Sequence, residues 1–293
     1  MPRASHGQNR RGRLIGVVAV FAVALAAAVG FALSSSGSSS RSAATTAPPT
    51  TTPSTTGSTL AATTTAAPTT TVARTTTTKV AAAAATSTMS SCTSVVHIGD
   101  STSESLVSTS YIPVPAQRLD ARYAAVGAVH QDFQISGARS IIETWHGFAN
   151  AYTVASQLAS TGWHGCWVVD MGVNDAADIA VGSNIGAAQR IERMMSVIGG
   201  QPAMWIAVKS LLSSGPYSNS NMQAWNAALL QACRAHPNMR VLNWNAQALP
   251  AYYISDGVHY NSPGSVVLAA ALAKGLAVGF PKQGPPPASC LVP

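Results

Sequence analysis

Four short stretches hold side chains that together can carry out acyl transfer. They are Gly99-Asp100-Ser101, the glycine of Ser136-Gly137-Ala138-Arg139-Ser140, Gly172-Val173-Asn174-Asp175, and Asp256-Gly257-Val258-His259. A serine hydroxyl is a poor nucleophile at neutral pH and needs an adjacent base. His259 can be that base. If the segment turns, Asp256 shares a face with His259, and its carboxylate accepts from Nδ1–H, fixing the tautomer and stabilising the imidazolium. The attack creates an oxyanion, for which the Ser101 N–H, the Gly137 N–H and the Asn174 side-chain amide are the candidate donors. The expected catalytic set is therefore Ser101, Asp256 and His259, with an oxyanion hole of Ser101, Gly137 and Asn174.

Other titratable residues suggest plainer roles. His97 lies inside an apolar run and is expected to be a hydrogen-bonded core residue. Asp170, Asp175 and Asp178 are acidic neighbours, but a hard cation needs several converging oxygen ligands and no loop motif supplies them, so no metal is expected. Trp145, Tyr217, Tyr252 and Tyr253 fall on loops expected to border the site.

Such side chains must be held by a rigid frame. Val95-Val96-His97-Ile98 reads as a buried strand that stops at Gly99, and in open α/β sheets ligands sit at the carboxyl ends of strands. Further strands are read at Val129–Ile135, Cys166–Gly172, Met204–Val208 and Val241–Trp244, which makes five. Helical patterns lie near Gln117–Ala125, Ala149–Ala159, Ala187–Ile198, Asn221–Ala235 and Pro263–Val278. This alternation predicts an α/β domain with a parallel sheet covered on both faces. The Ser/Thr-rich segment after Ser101 and the tail from Pro281 read as irregular.

The 293 residues are not uniform, and the net charge of +7 divides along the same line. Arg3, Arg10, Arg11, Arg13, Arg41, Arg74 and Lys79 precede residue 91, with no acid among them, and the remainder balances. No basic patch with interleaved aromatics is left in the folded part, so nucleic acid is not an expected partner. Residues 1–13 read as a basic cytoplasmic N-terminus. Residues 14–33 form an uncharged run of about 20 residues, long enough to span a bilayer. Arginines before that run keep the N-terminus inside and send the rest out. A cleaved signal peptide is the competing reading, and it gives a secreted protein. Residues 34–90 are nearly all Ser, Thr, Ala, Pro and Gly, too poor in apolar bulk to fold. They form a linker with a coil span of roughly 40 Å and an extended reach near 175 Å. Residues 91–293 are expected to be one catalytic domain, monomeric and held to the membrane by the N-terminal helix.

The four cysteines all lie in that domain, and an even count outside the cytoplasm favours disulfides. Their places in the alternating pattern put them at the sheet end opposite the chemistry. The expected pairs are Cys92 with Cys290, joining the two ends of the domain, and Cys166 with Cys233.

In order and spacing, the four stretches resemble the blocks of the SGNH (GDSL-type) hydrolase superfamily across residues 92–280. The resemblance implies a three-layer α/β/α flavodoxin-like sandwich and ester hydrolysis or transfer without metal or organic cofactor. It also implies the roles given above for Ser101, Gly137, Asn174, Asp256 and His259. Thr102 stands where the family has leucine. Asp256–His259 followed by Tyr260-Asn261-Ser262-Pro263-Gly264 is also similar to the extracytoplasmic SGNH domains of cell-wall O-acetyltransferases. The expected function is an extracytoplasmic serine ester hydrolase acting on acyl esters of cell-envelope glycans or lipids. One alternative is an O-acyltransferase using the same acyl-enzyme. Another is an inactive carbohydrate-binding module, which predicts a disrupted triad, whereas every member is present.

Overall fold

The computed structural model describes residues 88–293. The basic N-terminus (1–13), the apolar run (14–33) and the linker expected at 34–90, apart from its last three residues, lie outside the described residues. Packing is already under way at Ser90, which is buried and whose hydroxyl donates to the Leu276 and Phe280 carbonyls.

The chain then alternates as its patterning predicts. Strand β1 (Ser94–Gly99) is followed by α1 (Ser101–Val107), α2 (Leu119–Ala125), β2 (His130–Ile135), α3 (Ala151–Ser160) and β3 (Cys166–Asp170). Helices α4 (Val173–Ala180) and α5 (Ala187–Ile198) lead to β4 (Ala203–Ile206), and α6 (Asn219–Ala235) leads to β5 (Met239–Leu242). The short α7 (Trp244–Gln247), the long α8 (Ser262–Gly279) and β6 (Leu291–Val292) complete it. The strands form one sheet in the order β2-β1-β3-β4-β5-β6, every neighbouring pair parallel. The first five follow the flavodoxin-like order 2-1-3-4-5, in which the chain reverses direction between β1 and β3. Ser101 and Asn174 lie just past the carboxyl ends of β1 and β3, the two strands that flank this switch point.

Side-chain alternation along the strands builds two cores. Val96, Ile98, Trp167, Val169 and Trp205 face α3, α4, α5 and α6, while Val95, Val168, Met204 and Ile206 face α1, α2 and α8. Strands buried on both faces read as continuous apolar runs, as parallel strands do. Among the described residues α8 is the one helix long and apolar enough to cross a membrane, yet it is mostly buried against the sheet. A helix apolar all round is a core helix when protein surrounds it.

The structure departs from the sequence reading in four places. The sheet has six strands rather than five, because Leu291-Val292 pairs with Val241-Leu242. The segment after Ser101 is helix α1, since Asp100 caps it: Oδ1 accepts from the Thr102 N–H at 2.8 Å and the Thr102 hydroxyl at 2.7 Å. Val173–Ala180 is also helical, starting one residue after Gly172. The disulfides are Cys92–Cys166 and Cys233–Cys290, with Cα–Cα distances of 5.6 Å and 6.0 Å. Cys92 precedes β1 and Cys166 opens β3, and the two strands are neighbours. The tail crosses instead to the far edge, four strand spacings or roughly 19 Å from β1. Cys290 therefore meets Cys233 at the end of α6, and a Cys92–Cys290 bridge is out of reach.

Candidate active site

The carboxyl end of β1 delivers the first group. Gly99 is confined to a position with no room for a side chain, since a Cβ there would lie 2.6 Å from the Ser103 Cβ. Asp100 then caps α1 and places Ser101 as its first residue.

The loop after α7 delivers the base. Ser101 Oγ lies 2.8 Å from His259 Nε2, and His259 Nδ1 lies 2.7 Å from Asp256 Oδ2. The other oxygen of Asp256 accepts the N–H of Val258 at 2.9 Å and of His259 at 3.0 Å. The turn needs Gly257, whose φ is +70°. With Nδ1–H donating to the carboxylate, Nε2 is the free acceptor facing the serine hydroxyl. Partial burial pushes the Asp256 carboxyl up, but the two N–H bonds and the His259 ring outweigh it and hold it below the ordinary range. Asp256 therefore stays ionised as the orienting partner.

Asn174 arrives from the carboxyl end of β3. Gly172 precedes it with φ +136°, and a Cβ there would lie 2.7 Å from Trp225 Cε2, so glycine is required on both counts. Asn174 Nδ2 donates to Asp100 Oδ2 at 3.2 Å and to the Arg139 carbonyl at 3.1 Å. Its Oδ1 accepts from the Tyr217 hydroxyl at 3.1 Å. Two acceptors on one side and a donor on the other fix which way the amide points. Gly137 sits over the first turn of α1, where a Cβ would lie 3.2 Å from Glu104 Oε1. The left-handed residue of that turn is Ala138, with φ +52°. The structure thus brings Ser101, His259 and Asp256 into one hydrogen-bonded chain and sets Asn174 and Gly137 around the same helix start.

Beneath the site runs a buried polar relay. The Tyr123 hydroxyl lies 2.9 Å from His97 Nδ1, His97 Nε2 lies 3.0 Å from Ser103 Oγ, and Ser103 donates to Asp170 Oδ2 at 2.6 Å. Because Ser103 gives its proton to Asp170, His97 Nε2 must be the donor and Nδ1 the acceptor. His97 is therefore a satisfied core residue, as expected, and burial lowers its pKa to about 3. Burial likewise raises Asp170 to about 6, against the Ser103 bond. Asp100 is raised to about 7, first by burial and then by Asp170, while Thr102 and His259 pull it down.

A second network fixes the loop that carries Gly137. Arg190, fully buried on α5, donates to Asp175 Oδ1 and Ser183 Oγ at 2.8 Å each and makes a bidentate pair with Glu143. Asp175 Oδ1 also accepts the Ile141 N–H at 2.9 Å, and Ser140 donates to Asp178. Asp175 and Asp178 thus serve an arginine. Of the expected border aromatics, Tyr217 reaches Asn174. Tyr253 is buried with its hydroxyl on the Lys209 carbonyl, Tyr252 stacks on Trp244, and Trp145 is exposed beside His146.

Sequence patterning passed over Asp100 as a partner of Asn174, Tyr217 as its second partner, and the relay from Tyr123 to Asp170. The one available signal was position: Asp100 and Asp170 both sit at carboxyl ends of apolar strands, beside the switch point.

The doubly wound parallel sheet places this protein in the α/β class, with a hydrogen-bonded Ser101–His259–Asp256 chain at the carboxyl end of its strands. No protein-family model matches the sequence, and no curated protein matches it. Solved structures similar to it include a lipase/acylhydrolase from Enterococcus faecalis, at 18% identity over 65% of this chain and 99% of that one, with a TM-score of 0.49. A carbohydrate acetylesterase family member from Sinorhizobium meliloti matches at 16% identity over 63% and 97%, with a TM-score of 0.49. The C-terminal catalytic domain of peptidoglycan O-acetyltransferase A from Streptococcus pneumoniae matches at 13% identity over 63% and 93%, with a TM-score of 0.48.

Proposed function

We propose that the protein is an extracytoplasmic serine ester hydrolase of SGNH type that works through an acyl-enzyme on Ser101. The observation that carries this reading is the continuous chain from Ser101 Oγ through His259 to Asp256. His259 Nε2 takes the hydroxyl proton as Oγ bonds to the ester carbonyl carbon, and the carbonyl oxygen becomes the oxyanion. The Ser101 N–H, the Gly137 N–H and Asn174 Nδ2 receive it, with Asn174 exchanging its bond to the Arg139 carbonyl for the stronger acceptor. Collapse expels the alcohol, which takes the proton back from His259. Water then repeats the sequence in reverse roles and frees the acid and Ser101.

The His259 and Asp256 side chains are 39% and 43% exposed, so water reaches the base directly. The two disulfides and the apolar run behind Arg10, Arg11 and Arg13 support a place outside the cytoplasm. Acyl esters of envelope glycans or lipids are the substrates within reach of a stalked domain, and neither a metal nor an organic cofactor enters the scheme.

The test is hydrolysis of short and long p-nitrophenyl esters by the full chain, alongside Ser101→Ala and His259→Ala. Both variants should lose roughly 1,000-fold or more in kcat, and a fluorophosphonate should label the parent but not Ser101→Ala. Activity independent of Ser101 would overturn the reading, and stimulation by a sugar acceptor would move it to the transferase.

A further inference from the structure

We infer that Tyr217 is a positioning residue for the reaction: its hydroxyl locks the Asn174 amide so that Nδ2 faces the oxyanion position. This rests on the esterase reading above. A carboxamide is nearly symmetric in shape, so packing alone does not tell its nitrogen from its oxygen. Here the distinction is made by three bonds. Asp100 Oδ2 and the Arg139 carbonyl take the two N–H groups, and the Tyr217 hydroxyl donates to Oδ1 at 3.1 Å. When an oxyanion draws one N–H away from Arg139, Asp100 and Tyr217 are left to hold the amide. Donation to Oδ1 also polarises the amide and makes its N–H a stronger donor.

The loop that carries Tyr217 is built to hold it there. Ser210 Oγ donates to the Tyr217 carbonyl at 2.6 Å, the Asn219 N–H donates to the Leu212 carbonyl at 2.8 Å, and Asn221 Nδ2 donates to the Pro216 carbonyl at 2.8 Å. The same loop grips the base: the Leu211 N–H donates to the Gly257 carbonyl at 2.8 Å, two residues before His259. One loop therefore spans the distance between His259 and Asn174, outside all four recognised stretches. Tyr217 is 37% exposed at the rim. Burial of its hydroxyl, helped by Asp178 and Asp100, raises its pKa above the ordinary value, so it stays a proton donor across the working pH range.

The experiment is a double-mutant cycle in the full chain with an ester whose hydrolysis depends on Ser101. Tyr217→Phe should lower kcat about 10-fold with KM unchanged, less than the 100- to 1,000-fold expected for losing an oxyanion donor itself. In an Asn174→Ala background the same change should cost nothing further. A wild-type kcat in Tyr217→Phe, an effect on KM alone, or an equal loss in both backgrounds would overturn the proposal. A second measurement is independent of turnover. The Asn174 side-chain amide pair in a nitrogen–proton correlation spectrum, assigned by its loss in Asn174→Ala, should shift in Tyr217→Phe. Unchanged resonances would overturn the proposal even in a chain without esterase activity, whereas absent Ser101-dependent turnover with shifted resonances would overturn only the esterase reading.

Discussion

Gly99, Asp100 and Ser101 divide three tasks among three adjacent residues. The glycine makes room, the aspartate both caps α1 and takes an N–H of Asn174, and the serine presents its hydroxyl to His259. The glycine's task is the least visible, because its beneficiary is Ser103, whose hydroxyl joins His97 to Asp170. Gly99→Ala should therefore displace the first turn of α1. The expected cost is about 1–3 kcal/mol in urea unfolding, typical of overpacking, together with a loss of ester turnover. A variant of parental stability and activity would show that the cramped geometry relaxes at no cost.

At the scale of elements, α4 and α5 matter through Arg190. That side chain ties Asp175 on α4 to Glu143, and Asp175 in turn holds the backbone of Ile141. Arg190→Met leaves the Asp175 carboxylate buried without its cation, and it should cost about 3–5 kcal/mol in denaturant unfolding. Adding Asp175→Asn should recover part of that loss, since the amide oxygen still accepts from Ile141. No recovery would place the cost in side-chain packing rather than charge. The strands were readable because burial on both faces leaves continuous β-branched and apolar runs, as in Val95–Ile98 and Cys166–Val169. Helix α1 was hidden by its composition, since Ser-Thr-Ser-Glu-Ser has weak helical preference and depends on the Asp100 cap. Helix α4 was hidden by brevity, and β6 has two residues and no period to read. The Asp256–His259 pair was legible because the two residues are three apart. Ser103 and Asp170 are 67 residues apart, and sequence spacing carries no sign of their bond.

At the scale of the whole molecule, the relay from Tyr123 to Asp170 joins α2, β1, α1 and β3, and it couples folding to pH. His97 has a folded pKa near 3 against an ordinary value of 6.5. A base with a lowered folded pKa contributes stability that is complete above pH 6.5 and is lost as pH falls toward 3. Asp170, raised to about 6, acts in the opposite sense, its contribution being lost as pH rises through that value. Comparing the parent with His97→Gln isolates the histidine. The parent should be the more stable at pH 7, and its advantage should shrink by about 2 kcal/mol between pH 6.5 and 4.5, since the slope reaches about 1.4 kcal/mol per unit only once the unfolded histidine is mostly protonated. A gap that stays constant with pH would mean that His97 is charged in the folded protein.

The sixth strand has a consequence for how the sheet meets other molecules. A parallel sheet has two open edges, each a row of unpaired backbone groups that invites another chain. On one side the edge is β2, whose His130, Gln131, Asp132 and Gln134 make it polar. On the other it would be β5, whose Met239-Arg240-Val241-Leu242 is wholly buried. Two residues of β6 cover that edge, and Cys233–Cys290 stakes them to α6. One flank is guarded by composition and the other by a short strand with a covalent stitch, so an oxidising compartment adds an anchor to the cover of that edge.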